Sequence, residues 1–180
     1  MAIQTERLSL EPAPVAFIEA LERKDMAAAE QIMNVRITGD WFEGPQHWMR
    51  LRIRQLREAP ALDRWLLHAM VLSTPDGDAP ARTMVGHCGY HGAPDATGMV
   101  EVGYSVAPPF RRRGYAIEAV RGLIANAFGR PEVTRVRASI RPDNEPSLGL
   151  IAQLGFVQVG EQMDEIDGLE HIFELERPKE

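Results

Sequence analysis

Three strand-like segments follow one another ahead of the main helix: residues 65–72, 83–90 and 99–106. The first is a nearly continuous apolar run, the pattern of a strand buried on both faces. Thr74-Pro75-Asp76-Gly77-Asp78 and His91-Gly92-Ala93-Pro94-Asp95 punctuate the series as turns. The third segment alternates, with Val100, Val102, Tyr104 and Val106 on one face and Glu101, Gly103 and Ser105 on the other. Only then does the main amphipathic helix begin, with Ala116, Val120, Leu123 and Ala127 in a stripe widened by Ile117, Ile124 and Phe128. Gly129-Arg130-Pro131 stops it. Three consecutive strands ahead of the main helix predict an α+β sheet rather than a regular βαβα alternation.

The flanks complete a single domain over residues 1–180. Residues 7–10 read as a strand ended by Glu11-Pro12, and residues 15–21 and 26–33 as helices. Trp41-Phe42-Glu43-Gly44-Pro45 reads as a loop before a helix from near Gln46 to about Arg57. Beyond the main helix, residues 133–140 form a strand with Val136, Ala138 and Ile140 inward. Asn144 caps a short helix with Pro146 in its first turn, Gly155 ends that helix, and residues 156–160 and 171–175 close the sheet. No apolar run approaches the roughly 20 residues of a membrane helix, so no membrane partner is expected. The first residues lack an apolar leader, which predicts a cytoplasmic protein. Cys88 is the only cysteine and is expected to be a small buried residue, with no His–acid pair around it to make it a nucleophile. His87 and His91 lack a completing ligand set, so no metal is expected.

A net charge of −6 argues against nucleic-acid binding through the global field, and it favours a cationic substrate. Within that acidic chain Arg111, Arg112 and Arg113 stand together, between a strand end and a helix start. The first turn of a helix has unpaired N–H groups and a positive dipole end, where a phosphate sits well. Gly114 lets the backbone approach a ligand closely, and the arginines add charge-assisted contacts to phosphate oxygens. Residues 106–116 therefore read as a phosphate or diphosphate cradle. They form neither a Walker loop nor a Gly-x-Gly-x-x-Gly fingerprint.

Arg111-x-x-Gly114-x-Ala116 resembles the (Arg/Gln)-x-x-Gly-x-(Gly/Ala) signature of the GCN5-related N-acetyltransferase (GNAT) superfamily. Glu101-Val102-Gly103-Tyr104-Ser105-Val106 resembles that family's fourth strand, and Asn144-Glu145-Pro146-Ser147 with Leu154-Gly155-Phe156 its Asn-x-x-Ser…Leu-Gly-Phe segment. The opening Thr5-Glu6-Arg7-Leu8-Ser9-Leu10 is similar to the branch holding ribosomal-protein and other protein N-terminal acetyltransferases. The resemblance implies a mixed, mostly antiparallel sheet splayed after the fourth strand, helices on both faces, and acetyl-coenzyme A as co-substrate in the gap. It implies that backbone at Tyr104, Ser105 and Val106 pairs with the pantetheine arm. Arg111, Arg112, Arg113, Gly114, Tyr115 and Ala116 would then hold the pyrophosphate, and Asn144 would reach the arm from the other side. Gly103 is expected to mark a bulge at the splay point.

On that reading the acceptor is a primary amine: a protein N-terminus, toward which the opening motif points, a lysine, or a small molecule. Glu101 is the expected general base, and a backbone N–H near Val106 polarises the carbonyl. Many relatives carry a tyrosine as general acid where this chain has Ile151, so Ser147 or water takes that role. Trp41, Phe42 and Trp48 belong either to an acceptor pocket or to the core. A rival reading is a non-catalytic acyl-CoA sensor or partner-binding module, favoured by Ile151 and opposed by Glu101 and Ser147. A nucleic-acid binder using the basic turn is opposed by the net charge, and a homodimer is left open.

Overall fold

The computed structural model describes residues 1–38, 47–166 and 168–178. Nine strands and five helices follow in the order β1 (Ile3–Gln4), β2 (Leu8–Pro12), α1 (Val15–Glu22), α2 (Met26–Met33), β3 (Arg36–Ile37), α3 (His47–Glu58), β4 (Leu67–Leu72), β5 (Thr83–Tyr90), β6 (Met99–Val106), α4 (Tyr115–Phe128), β7 (Arg135–Ile140), α5 (Glu145–Gln153), β8 (Val157–Asp164) and β9 (Gly168–Glu176). Short 3-10 turns at Pro60–Arg64 and Pro108–Phe110 complete the elements. Trp41 and Phe42 lie outside the described residues.

The strands form one sheet in the order β1-β2-β4-β5-β6-β7-β9-β8, with β3 added beside β5. All pairings are antiparallel except β3 with β5 and β6 with β7. The sheet is thus mixed and mostly antiparallel, as the family resemblance implies, within the α+β class that the order of the segments predicts. All six residues of β4 are buried, which requires cover on both faces. Cover comes from opposite sides. Tyr90 donates its hydroxyl to the Leu123 carbonyl of α4 at 2.7 Å, whereas His87 stacks on Trp48 of α3. Positions 87 and 90 differ by an odd number along one strand, so their side chains leave opposite faces.

The sequence misplaces one part of α4. Tyr115 and Ala119, with Val120, Leu123 and Ala127, are the buried positions, while Ala116 and Ile117 are half-buried. Ala116 and Ile117 border a gap in the sheet, so that side of the first turn meets the gap, while Tyr115 packs inward. The two-residue strands β1 and β3 were not readable because two residues carry no period. Among the described residues, no helix is long and apolar enough to cross a membrane.

Candidate active site

The gap lies between β6 and β7. These strands pair only where Met99, Val100 and Glu101 meet Arg135, Val136 and Arg137. Strand β6 then continues to Val106 alone on that side. Its other edge is fully paired, from Val102 opposite Tyr90 to Val106 opposite Gly86. His91 N–H donates to Glu101 O at 2.8 Å and Ala107 N–H to Val85 O at 2.9 Å, so the odd-numbered residues direct their peptide groups toward β5. By alternation, Tyr104 and Val106 direct theirs into the gap. Arg111 Nε takes the Val106 carbonyl at 3.0 Å.

The gap opens into a cleft of about 870 Å³. Its walls bring together Tyr104, Ser105, Val106, Arg111, Arg112, Gly114, Tyr115, Ala116, Asn144 and Ser147, all of them singled out in the sequence. Phe110, Ile117 and Leu150 add apolar surface. Gly114 precedes α4 in the left-handed region, at φ 83°, and Arg112 lies there too, at φ 61°. That backbone turns the chain sharply enough to aim the unpaired N–H groups of the first helical turn at the cleft.

Arg113 departs from the rest. Its guanidinium lies over the Phe110 ring, 5.8 Å from the centroid, and its carbonyl accepts a bond from Arg7 Nη1 at 3.0 Å. Only its peptide belongs to the turn. Tyr115 likewise turns its ring inward, with its hydroxyl on Asp76, and offers the cleft its backbone.

A network that no local pattern announces fixes the turn from behind. Glu118 Oε1 accepts from Thr5 Oγ1 at 2.6 Å and from Arg7 N–H at 2.7 Å, and Oε2 accepts from Arg7 Nε at 2.8 Å. Burial raises the Glu118 carboxyl, but these bonds outweigh it and hold the group below its ordinary value. Arg7 also lies over the Tyr115 ring at 4.7 Å. The opening segment is thereby tied to the helix that carries the basic turn.

Across the cleft, Asn144 caps α5, its Oδ1 accepting from Ser147 N–H at 3.3 Å. The Ser147 hydroxyl neighbours the Tyr104 phenol, which burial raises above its ordinary value and Ser147 partly lowers. That phenolic oxygen is buried, and beyond the neighbouring Ser147 hydroxyl no group among the described residues pairs with it. Ile151 is fully buried and takes no part in the cleft.

Tyr104 also stands in the wall of a second, smaller pocket of about 140 Å³, shared with Trp48, Arg52, His87, His91 and Gly103. Trp48 stacks on His87 with ring centroids 4.8 Å apart. His91 Nδ1 faces Glu101 Oε1 at 3.5 Å. The expected bulge at Gly103 is absent: the β5–β6 register runs evenly through it, and the register shifts fall between Met70 and Val71 of β4 and between Gln158 and Gly160 of β8. Gly103 instead makes room for a ring, since a Cβ there would meet His91 Nε2 at 2.8 Å. Cys88 is buried in the pocket wall, and burial pushes its thiol up, so it is no nucleophile at neutral pH.

Burial pushes His68 and His87 down to about 4, helped at His87 by the Arg52 charge and opposed at His68 by its bond to the Leu66 carbonyl. The unfolded chain binds these protons from about pH 6.5 downward, whereas the folded chain refuses them until about 4. Stability from this source is complete above pH 6.5, falls between 6.5 and 4, and levels off below. The expected loss is on the order of a few kcal/mol. Thermal unfolding against pH checks it, and His68→Gln should flatten the curve in that window.

Among the described residues, no group of three or more His, Cys, Asp or Glu side chains is placed to hold a metal ion. A cleft with an open strand edge on one wall and an anion-binding turn at its mouth suits a long ligand with a peptide-like arm and a diphosphate. Residues 7–157 match the family model described as an acetyltransferase (GNAT) domain, and the chain belongs to the GNAT acetyltransferases. The uncharacterized N-acetyltransferase YjdG of Bacillus subtilis is 26% identical over 160 residues, 86% of this chain and 89% of that one. Among solved structures, the ribosomal L7/L12 α-N-protein acetyltransferase RimL in complex with coenzyme A superposes with a TM-score of 0.65 at 15% identity, covering 98% of both chains. The microcin C7 self-immunity acetyltransferase MccE, in complex with acetyl-CoA and AMP, gives 0.65 at 16% identity, covering 96% of this chain and 93% of its own. At such identities these two share the fold.

The sequence marks Arg7 only as part of the opening motif and gives no sign of Glu118 or Arg52. Arg7 and Glu118 lie 111 positions apart, and no periodic pattern links them. Tyr104 was found for its backbone, while its phenol gave no signal.

Proposed function

We propose that this protein transfers the acetyl group of acetyl-coenzyme A to a primary amine in the cytoplasm. The observation that carries the reading is the parted β6–β7 pair with the N–H-lined turn of residues 112–116 at its mouth. The buried Tyr104 hydroxyl in the cleft wall supports it, because a buried polar atom with no partner beyond the nearby Ser147 hydroxyl is costly and a ligand would relieve that cost.

The Tyr104 peptide groups would pair with the amides of the pantetheine arm, as an added strand does, beside the Val106 carbonyl that Arg111 holds. The turn at Arg111, Arg112 and Gly114 and the first residues of α4 would hold the diphosphate. Asn144 closes the cleft opposite. Bound acetyl-coenzyme A would supply the thioester carbonyl that the amine attacks and the sulfur that leaves.

The remaining work falls to side chains. A lysine-like amine is protonated about a thousand to one at neutral pH, and an α-amine far less so. Glu101, at the narrow end of the gap beside His91, takes the proton directly or through water. The N–H of Val106 donates to the developing oxyanion. Ser147 or water returns a proton to the departing sulfur, and the adjoining Tyr104 phenol is a second donor within the same corner. Holding both reactants in one place contributes the rest.

The direct test mixes protein, acetyl-CoA and a panel of amines and measures free thiol. Release that depends on the amine supports the enzyme. Coenzyme binding that raises thermal stability without release for any amine favours the sensor. Tyr104→Phe is expected to lower turnover about 100-fold, in the usual range for a lost proton donor. Ser147→Ala is expected to lower turnover more than it weakens acetyl-CoA binding. Unchanged turnover in either variant removes that hydroxyl from the mechanism.

A further inference from the structure

The small pocket beside the cleft contains a cation that the acetyl-transfer chemistry does not need. Arg52 lies one turn after Trp48 on α3, and both side chains face the pocket. Two other arginines of that helix are met by carboxylates of α1: Arg50 by Glu22 at 2.8 Å and Arg57 by Glu19 at 2.6 Å. Arg52 meets no carboxylate among the described residues. Its Nη1 donates to Gln55 Oε1 at 2.8 Å and to the His91 carbonyl at 3.2 Å. Both are neutral acceptors, and they use one nitrogen of three.

The surroundings reinforce the imbalance. Burial lowers the Arg52 guanidinium from its ordinary value, and the Arg52 charge helps keep His87 and His91 neutral. A poorly solvated cation without a counter-ion is unfavourable unless something pairs with it. The guanidinium fork matches a carboxylate through two parallel bonds. His91 contacts both groups: its carbonyl accepts from Arg52, and its Nδ1 faces Glu101. The Arg52 side of the pocket therefore suits an anion, beside the stacked Trp48 and His87 rings, and Glu101, which His91 links to the pocket wall, suits an amine.

We infer that the acceptor is an amine that carries a carboxylate close to its nitrogen, and that Arg52 binds this carboxylate and so sets acceptor specificity. The inference rests on the acetyl-transfer reading for the amine end. It places the selectivity of an acidic protein in one half-buried cation rather than in its overall field.

The test uses two acceptor pairs that differ in one carboxylate, with rates compared per unprotonated amine because the carboxylate also favours the ammonium form: Asp-Ala-Ala-amide against Asn-Ala-Ala-amide, and alanine against alaninamide. The first pair presents a side-chain carboxylate on a peptide and the second a free amino-acid carboxylate, so the arms separate these sources. Thiol release gives kcat/KM, and calorimetry on the coenzyme A-loaded protein gives acceptor affinity. The carboxylated member of at least one pair is expected to be preferred about tenfold or more, the scale of a charge-assisted bond. In Arg52→Gln the ratio should fall toward one, and in Arg52→Lys, which keeps the charge without the fork, it should fall partway. Equal use of both members in both pairs overturns the inference, as does a preference that survives Arg52→Gln. Absence of thiol release for every amine, with coenzyme bound, sinks acetyl transfer instead. Calorimetry on the same samples then still decides whether Arg52 selects the carboxylate. If Arg52→Gln does not fold, Arg52→Lys decides: a preference as strong as in the parent chain overturns the inference, and a weakened one supports it.

Discussion

Gly114→Val is expected to abolish measurable coenzyme binding while the protein stays folded. Gly114 has φ 83°, where a β-branched side chain is strained, and a Cβ there would stand 3.3 Å from Arg7 Nη2. Strain of about 1–3 kcal/mol at such a position is relieved most readily by moving the exposed turn, since the helix behind it is held by Glu118. Movement takes several N–H groups out of line with one anion at once. Each 1.4 kcal/mol lost costs a factor of about ten in affinity, so a 100-fold weakening is the modest end of the expectation. Calorimetry with coenzyme A reads it directly. Gly92→Ala is the matched control, because a Cβ there meets nothing within 4 Å. A Gly114→Val variant that bound the coenzyme within about twofold of the parent chain would remove residues 112–116 from the site.

Glu101→Gln should change the shape of the pH–rate profile as well as its height. With a base present, a protonated amine can be deprotonated within the site. Without one, only the amine already neutral in solution reacts, and that fraction falls tenfold for each pH unit below the amine's own value. The variant is therefore expected to lose about 100-fold in turnover near neutrality and more at lower pH, giving log rate a slope near one. Coenzyme affinity should hold, since Glu101 lies where β6 and β7 are still paired and the cleft begins beyond it. A profile parallel to that of the parent chain would leave Glu101 as only the neighbour of His91. Proton transfer through ordered water from another group would then be the better account.

Much of the architecture was legible locally. The bounds of α2, β5 and β6 follow from periodicity and turn residues, because each element writes its own period into contiguous residues. The basic turn was legible for the same reason: an anion cradle of this kind is built from a few consecutive residues. Asn144 was readable as a cap because its bond to Ser147 spans three positions. Ala116 and Ile117 misled, because an apolar residue over an open cleft reads in sequence like one over a packed sheet.

What the chain alone determined, then, is every feature whose partners lie within one element or one turn: the strands, the helix caps, the glycine with positive φ and the cluster of arginines. Tertiary structure decided what those features face. Only folding parts β6 from β7 after Glu101, leaves the Tyr104 hydroxyl with no partner beyond Ser147 among the described residues, sets Arg52 beside His91, and ties Thr5 and Arg7 to Glu118. Each of these depends on contacts between residues tens of positions or more apart, and a contact of that separation leaves no periodic trace in a single sequence.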